Sequence, residues 1–454
     1  MREVSPGRRA VEPGIVIVGA GQAGVQAAES LRDAGFAGPV TVIGDEPELP
    51  YQRPPLSKEY LAGKLPEGEL TLRADRFYAE RGIGLLVGRR VVEVDRRRRR
   101  VTLDDDSELP YAHLVLATGS RPRPLPLPGS GLSGVTGLRT RAEADELRQR
   151  LGEARNVVVI GAGFIGLEFA AACRAAGLGP VVLDIADQVM GRAVSAPTAA
   201  HFAQRHREQG TRLLMGTVPA EIVGSDGRVT GIRTTDGVTV PADLVVAGIG
   251  VLPNTELAAL AGLETDNGIV VDSHLTTADP HISAIGDCAS FPDPQGGPHD
   301  GSHGGPHGTG GRRVRLESVQ NAADQARCLA ARLTGAPRPY DALPWFWSYQ
   351  GDLRLQIAGL STGHDRTVVL GDGDSDSDRA GAGAGAGKGG FSVLCFRGSA
   401  LIAVESVNRP ADHMAARRLL TARVPVTPED AAEPGFSLRG RMARANDPER
   451  RALA

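Results

Sequence analysis

The sequence predicts an α/β protein with two Rossmann-like domains and a small α+β C-terminal domain. Two observations carry that expectation. A strand, glycine-rich turn, helix, strand order occurs twice, beginning at Gly14 and again at Asn156. A separate stretch rich in β-branched residues follows Pro344. The length agrees, because 454 residues exceed what one hydrophobic core usually organises.

The first unit opens with Ile15-Val16-Ile17-Val18, an apolar run short enough for a buried parallel strand. A helix over Gly24 to Ala34 follows, stopped at Gly35, and Val40 to Ile43 makes the next strand. The second unit has a strand over Val157 to Ile160, a helix over Gly166 to Ala176 stopped at Gly177, and a strand over Val181 to Leu183. Gly88 to Leu103 and Gly227 to Val240 read as hairpins. Leu353 to Leu360 and Phe391 to Val407 supply strands of the C-terminal domain, and the residues from about Glu433 read as a polar tail. Ala289 to Arg313 and Gly371 to Gly390 are too rich in Gly, Pro, His or Asp to bury apolar surface and read as flexible insertions.

Each glycine turn has the pattern that binds a dinucleotide. In Gly19-Ala-Gly21-Gln-Ala-Gly24 the first glycine makes the tight turn and the second admits a pyrophosphate. The third lets helix and strand pack closely. Asp45, after the second strand, stands where an adenosine ribose is held. Gly161-Ala-Gly163-Phe-Ile-Gly166 repeats the pattern, with Asp184 as its acid. A carboxylate there favours NAD over NADP, and Arg192 nearby weakens that preference. Two such sites in one chain suit hydride transfer between a nicotinamide and a flavin, hence FAD and NADH.

Composition narrows the alternatives. Net charge is only −3, which gives no global argument for nucleic acid or an anionic membrane. No run approaches the roughly 20 apolar residues of a membrane span. The N-terminal residues lack an apolar signal core, so the expected compartment is the cytoplasm. Cys173, Cys288, Cys328 and Cys395 form no C-x-x-C pair. That argues against a disulfide framework, a zinc ribbon and a thiol redox pair.

The segments GIVIVGAGQAG, RPPLSKEYL, LVLATGSRPRPLP, VVVIGAGFIGLE, ADLVVAGIGVLPN, HISAIGDCA, RLESVQNA and PWFWS run from Gly14 towards Pro425. In that order the chain resembles the flavoprotein pyridine-nucleotide reductases of glutathione-reductase-like fold. Within them it is most similar to the putidaredoxin reductase and biphenyl-dioxygenase ferredoxin reductase group. The resemblance implies an FAD-binding domain from residues 14–120 and 253–336, with an NAD-binding domain inserted over 121–252. It also implies an interface domain over 337–425, with 1–13 and 433–454 as flexible tails.

The same resemblance assigns residues. Lys58 corresponds to the lysine near flavin N5, and Glu168 to the carboxylate facing it and the nicotinamide. Asp287, in Ile285-Gly286-Asp287, corresponds to the second FAD motif, with Ala23, Val91, Thr118, Gly119, Arg139 and Val319 as further FAD contacts. Ile165 and Gly250 join the NAD site. Arg327 and Trp347 resemble residues that face the partner, and Trp345 is as readily a core aromatic. The implied activity is NADH:ferredoxin oxidoreductase, delivering electrons to a 2Fe-2S ferredoxin that serves a monooxygenase or Rieske dioxygenase. Rubredoxin is the alternative acceptor. An NADH oxidase or quinone reductase, and an NADH-sensing protein similar to apoptosis-inducing factor, are the rival classes.

The arginine run Arg96 to Arg100 reads as a solvated hairpin turn. His299, His303 and His307 recur at four-residue spacing, but the glycines and prolines between them oppose a helix, so no metal site is expected.

Overall fold

The computed structural model describes residues 12–191, 193–294, 312–371 and 390–445. Arg192, the three spaced histidines and the interiors of both insertions lie outside them. The chain forms two compact units. The first comprises residues 12–52, 71–121 and 253–342, and the second comprises 53–70, 122–252 and 343 onward.

In the first unit, parallel strands lie in the order Ile83–Leu86, Val40–Ile43, Gly14–Val18, Glu108–Leu116 and Ile282–Ala284. The N-terminal end of Glu108–Leu116 also pairs antiparallel with Arg100–Leu103, which continues to Val91–Asp95. The central strand Gly14–Val18 is buried at every residue, as its unbroken apolar sequence requires. Helices Gln22–Asp33 and Val319–Leu333 pack together and contribute Val25, Ala28, Leu31, Ala326 and Leu329 to the core.

The second unit carries a second parallel sheet in the order Arg212–Leu214, Val181–Leu183, Val157–Ile160, Leu244–Ala247 and Val135–Thr136. An antiparallel hairpin sheet, Pro219–Ser225 with Arg228–Thr234 and Thr239–Pro241, accompanies it. Its C-terminal part is a five-stranded antiparallel sheet in the order Trp345–Gln350, Leu353–Gly359, Ala400–Val407, Phe391–Arg397 and Arg366–Leu370. Helix Pro410–Thr421 packs Ala416 and Leu419 against Leu394, Phe396 and Val404 of that sheet. No helix among the described residues is long and apolar enough to cross a membrane.

Four differences from the sequence reading have physical causes. Residues 53–70 pack with the second unit, because Tyr60 Oη donates to Asp145 Oδ1 at 2.6 Å and Arg53 Nη1 to the Arg139 carbonyl at 2.8 Å. The ends of the first insertion are ordered: strand Ala289–Pro292 pairs with Arg313–Val314, burying Phe291. The expected tail contains helix Leu438–Ala445, whose Leu438 is buried and whose Met442 covers the same C-terminal core one turn later. Both glycine helices begin earlier than expected, at Gln22 and Phe164, so Gly24 and Gly166 lie inside the first turn.

Candidate functional site

The first glycine turn is shaped by close backbone approach. Gly19 has φ +116°, a conformation that disfavours side chains, and a Cβ there would lie 2.1 Å from the Ala117 carbonyl oxygen. A Cβ on Gly24 would lie 1.9 Å from the Gly19 carbonyl oxygen. Gly21, in contrast, faces open space, with nothing within 4 Å of a Cβ. That opening lies at the N-terminus of Gln22–Asp33, where unpaired amides favour an anion, so this cradle could hold a dinucleotide pyrophosphate. Asp45 is exposed just beyond strand Val40–Ile43, and Ala23 is buried.

Asp287 sits in the short 3-10 turn Gly286–Cys288 and accepts from Ser120 Oγ at 2.8 Å. Gly286, at φ +77°, would place a Cβ 2.9 Å from that of Ala23, which ties this turn to the first glycine helix. Its amide donates to Gln325 Oε1 at 2.7 Å. Thr118 Oγ1 donates to the Asn254 carbonyl at 2.7 Å, and Asn254 Nδ2 returns a bond to the Thr118 carbonyl at 2.8 Å. The Asn254 amide donates to the Gly119 carbonyl at 3.0 Å. Val91 is buried at the start of its strand, and Val319 opens a 15-residue helix capped by Ser318. The sequence does not single out Ser120, Asn254 or Gln325, although Ser120 and Asn254 lie in two of the segments that carry the resemblance.

The second glycine turn repeats the geometry. Gly161 has φ +108°, a Cβ on Gly166 would lie 2.0 Å from the Gly161 carbonyl oxygen, and Gly163 has only the Gly248 carbonyl oxygen within 4 Å, at 3.9 Å. It too could hold a pyrophosphate. Asp184 accepts the amides of Ala162 and Ala186, so its carboxylate braces the turn as well as lining it. Ile165 is exposed, and Gly250, at φ +96°, is open on its Cβ side.

Lys58 and Glu168 meet in the second unit. Lys58 follows the 3-10 turn Pro54–Ser57, and its Nζ donates to Glu168 Oε2 at 2.7 Å. Their side chains are 12% and 2% exposed, which makes this a largely desolvated ion pair. Ser57 Oγ also donates to Oε2, at 2.6 Å, and Ser348 Oγ donates to Oε1 at 2.7 Å. A buried carboxylate needs such saturation, since each unmatched lone pair would carry a desolvation penalty.

Residues 13–326 match the pyridine nucleotide-disulphide oxidoreductase family, and residues 345–442 match a reductase C-terminal domain. The chain belongs to the pyridine nucleotide-disulphide oxidoreductase family. Rhodocoxin reductase of Rhodococcus erythropolis is 48% identical, over 97% of this chain and 97% of its own length. A ferredoxin reductase structure from Rhodopseudomonas palustris is similar with a TM-score of 0.85 and 47% identity, covering 94% of this chain and 99% of that one. The reductase of a covalent putidaredoxin reductase–putidaredoxin complex is similar with a TM-score of 0.85 and 39% identity, covering 96% and 99%.

In this pyridine nucleotide-disulphide oxidoreductase the cysteines are all free. Burial pushes the Cys173 thiol up to about 12 and raises that of Cys288. Cys288 lies against the Leu116 and Ile285 carbonyls, so beside Asp287 it serves as packing. Arg139, like Lys58, lies in the second unit, donating its amide to Glu143 Oε2, whereas the remaining expected FAD contacts lie in the first. Arg327 is exposed in the first unit and pairs with Asp324 one turn away. Trp347 is half-buried in the second, 5.4 Å from the Trp345 ring, which in turn lies under the Arg417 guanidinium. The arginine run turns as expected, with Arg96 Nε on Asp279 Oδ2 at 2.8 Å.

Proposed function

We propose that the chain takes hydride from NADH onto FAD and passes the electrons singly to a 2Fe-2S ferredoxin that serves a monooxygenase or Rieske dioxygenase. The observation that carries this reading is the pair of glycine cradles, one in each unit, each open only at its middle glycine. Names of relatives such as rhodocoxin reductase, and the putidaredoxin complex, support an iron-sulfur acceptor. The setting proposed is the cytoplasm, where NADH is supplied.

FAD, when bound, supplies the conversion of a two-electron donor into one-electron steps. The protein's residues bind and orient. Gly19, Gly21, Ala23, Gly24 and Asp45, with Val91, Thr118, Gly119, Asp287 and Val319, are proposed to hold FAD, and Arg139 is proposed to assist. Gly161, Gly163, Ile165, Gly166, Asp184 and Gly250 are proposed to hold NADH. Lys58 would supply positive charge for the reduced flavin, and Glu168 would fix Lys58 and meet the nicotinamide. Arg327 and Trp347 are proposed to dock the ferredoxin, being residue types enriched at binding hot spots.

The test is oxidation of NADH and of NADPH by the FAD-loaded protein, with and without a 2Fe-2S ferredoxin. Fast flavin reduction by NADH, slow reoxidation in air and strong stimulation by ferredoxin are expected. Equal turnover without ferredoxin would replace this reading with an oxidase.

A further inference from the structure

Glu168 ends a buried chain of side chains that continues well beyond Lys58. Ser348 Oγ lies 2.7 Å from Glu168 Oε1, Gln350 Nε2 lies 3.2 Å from Ser348 Oγ, and Gln350 Oε1 lies 2.8 Å from His206 Nε2. Ser348 and Gln350 are fully buried, and His206 is 1% exposed. Ser348 and Gln350 alternate along strand Trp345–Gln350 with Trp347, and His206 comes from helix Ala196–Glu208. All five residues belong to the second unit.

The direction of every hydrogen in this chain follows from one fact, that a carboxylate only accepts. Ser348 must therefore give its hydroxyl hydrogen to Glu168, which leaves its oxygen to accept from Gln350. Gln350 then presents its NH2 group to Ser348 and its carbonyl oxygen to His206. That oxygen can only accept, so His206 carries its hydrogen on Nε2 and leaves Nδ1 bare. Among the described residues His206 Nδ1 has no hydrogen-bond partner, as a bare and uncharged nitrogen in a dry site can tolerate. Burial also lowers the imidazole pKa, against the Gln350 bond and the Asp352 charge, which favours the neutral ring.

We propose that Ser348, Gln350 and His206 are positioning residues, a one-directional donor chain that locks Glu168 as the buried counter-ion of Lys58. The proposal rests on the reading above, that Lys58 and Glu168 act at the flavin and nicotinamide. It excludes a proton route along the same chain, because Gln350 could pass a proton only by becoming an imidic acid. The C-terminal domain thus supplies a bond to the reacting pair from the strand that presents Trp347.

Two measurements test this on the FAD-loaded full chain. Nitrogen-15 spectra of labelled histidine in the wild-type protein, with His206 assigned by its loss in His206→Asn, should show the neutral Nε2–H tautomer from pH 6 to 8. A neutral ring with its hydrogen on Nδ1 would overturn the proposal, and this readout needs no active variant. In single-turnover reduction by NADH, Ser348→Ala should slow flavin bleaching about tenfold, the scale of one charge-assisted hydrogen bond, while changing the NADH dissociation constant less than about twofold. The same change in a Glu168→Gln background should add less than about twofold, since Ser348 acts through Glu168. An unchanged rate in Ser348→Ala, or an equal loss in both backgrounds, sinks the proposal while leaving the Lys58–Glu168 reading intact. An unaltered rate in Glu168→Gln alone removes that reading and the proposal with it.

Discussion

The Asp184 carboxylate holds the Ala162 amide at 2.6 Å and the Ala186 amide at 2.8 Å, so the acid expected to select NAD also braces the glycine turn. Substitution there has two consequences. Asp184→Ala should weaken NADH binding by about tenfold to a hundredfold, because a bond from each of two backbone amides is lost together with the ribose acceptor. Asp184→Arg should not produce an NADPH enzyme. It adds a cation for the extra phosphate but releases Ala162, so both nucleotides should bind worse than NADH binds the wild type. Titration of each nucleotide against flavin fluorescence checks both outcomes, and tight NADPH binding by Asp184→Arg would show that the brace is dispensable.

Glycines in one motif should fail in different ways. A Cβ on Gly21 meets nothing, whereas one on Gly24 would lie 1.9 Å from a carbonyl oxygen that cannot withdraw without breaking the turn. Gly21→Ala should therefore fold with a far-ultraviolet spectrum like wild type and purify with little FAD. Gly24→Ala should lose thermal stability or accumulate unfolded, by the overpacking mechanism. In the second motif Gly163→Ala should keep FAD and lose NADH affinity. Cofactor content by absorbance, with melting by circular dichroism, separates these cases.

Both glycine units were legible because their signals are local. Runs such as Ile15 to Val18 and Val157 to Ile160 are β-branched and unbroken, and Gly35 and Gly177 stop their helices at φ +83° and +82°. Contacts made by ordinary residues over long separations were not legible. Nothing local marks Ser348 as the partner of Glu168, 180 residues away, or Gln325 as the acceptor for Gly286. Helix Leu438–Ala445 escaped because six of its 8 residues are small or basic, and only Leu438 and Met442 mark an apolar face. Lys58 and Glu168 became visible as a pair through resemblance, whereas their 2.7 Å contact is a property of the fold.

Removing the cation from that pair should be more harmful than an exposed ion pair would suggest. In Lys58→Met, Glu168 keeps Ser57 and Ser348 but loses its only charge partner among the described residues, in a site where its side chain is 2% exposed. Breaking a buried pair from one side costs about 3–5 kcal/mol in typical proteins. Flavin reduction by NADH should slow by at least about tenfold, and the melting temperature should fall. Lys58→Met paired with Glu168→Gln should recover part of the lost stability but not the rate, which distinguishes the fold's need for neutrality from the chemistry's need for charge.

Acid should loosen the first unit through His113. Its Nε2 lies 3.0 Å from Ser283 Oγ, and Arg332 donates to that same oxygen, leaving the Ser283 hydrogen for an unprotonated His113 nitrogen. Burial, then the Arg332 charge and His281, push the imidazole from the ordinary 6.5 down to about 3, with Asp279 opposing. The unfolded chain therefore binds one more proton than the folded chain between those values, and stability must fall as pH drops through that window. Above pH 6.5 both states hold a neutral ring and His113 contributes no slope. Replacing it with Gln, which also accepts from Ser283 but does not titrate, should flatten the dependence by about one proton. Urea unfolding at steps from pH 7 to pH 4 checks this, and parallel curves for wild type and His113→Gln would show that the ring is already charged in the folded protein.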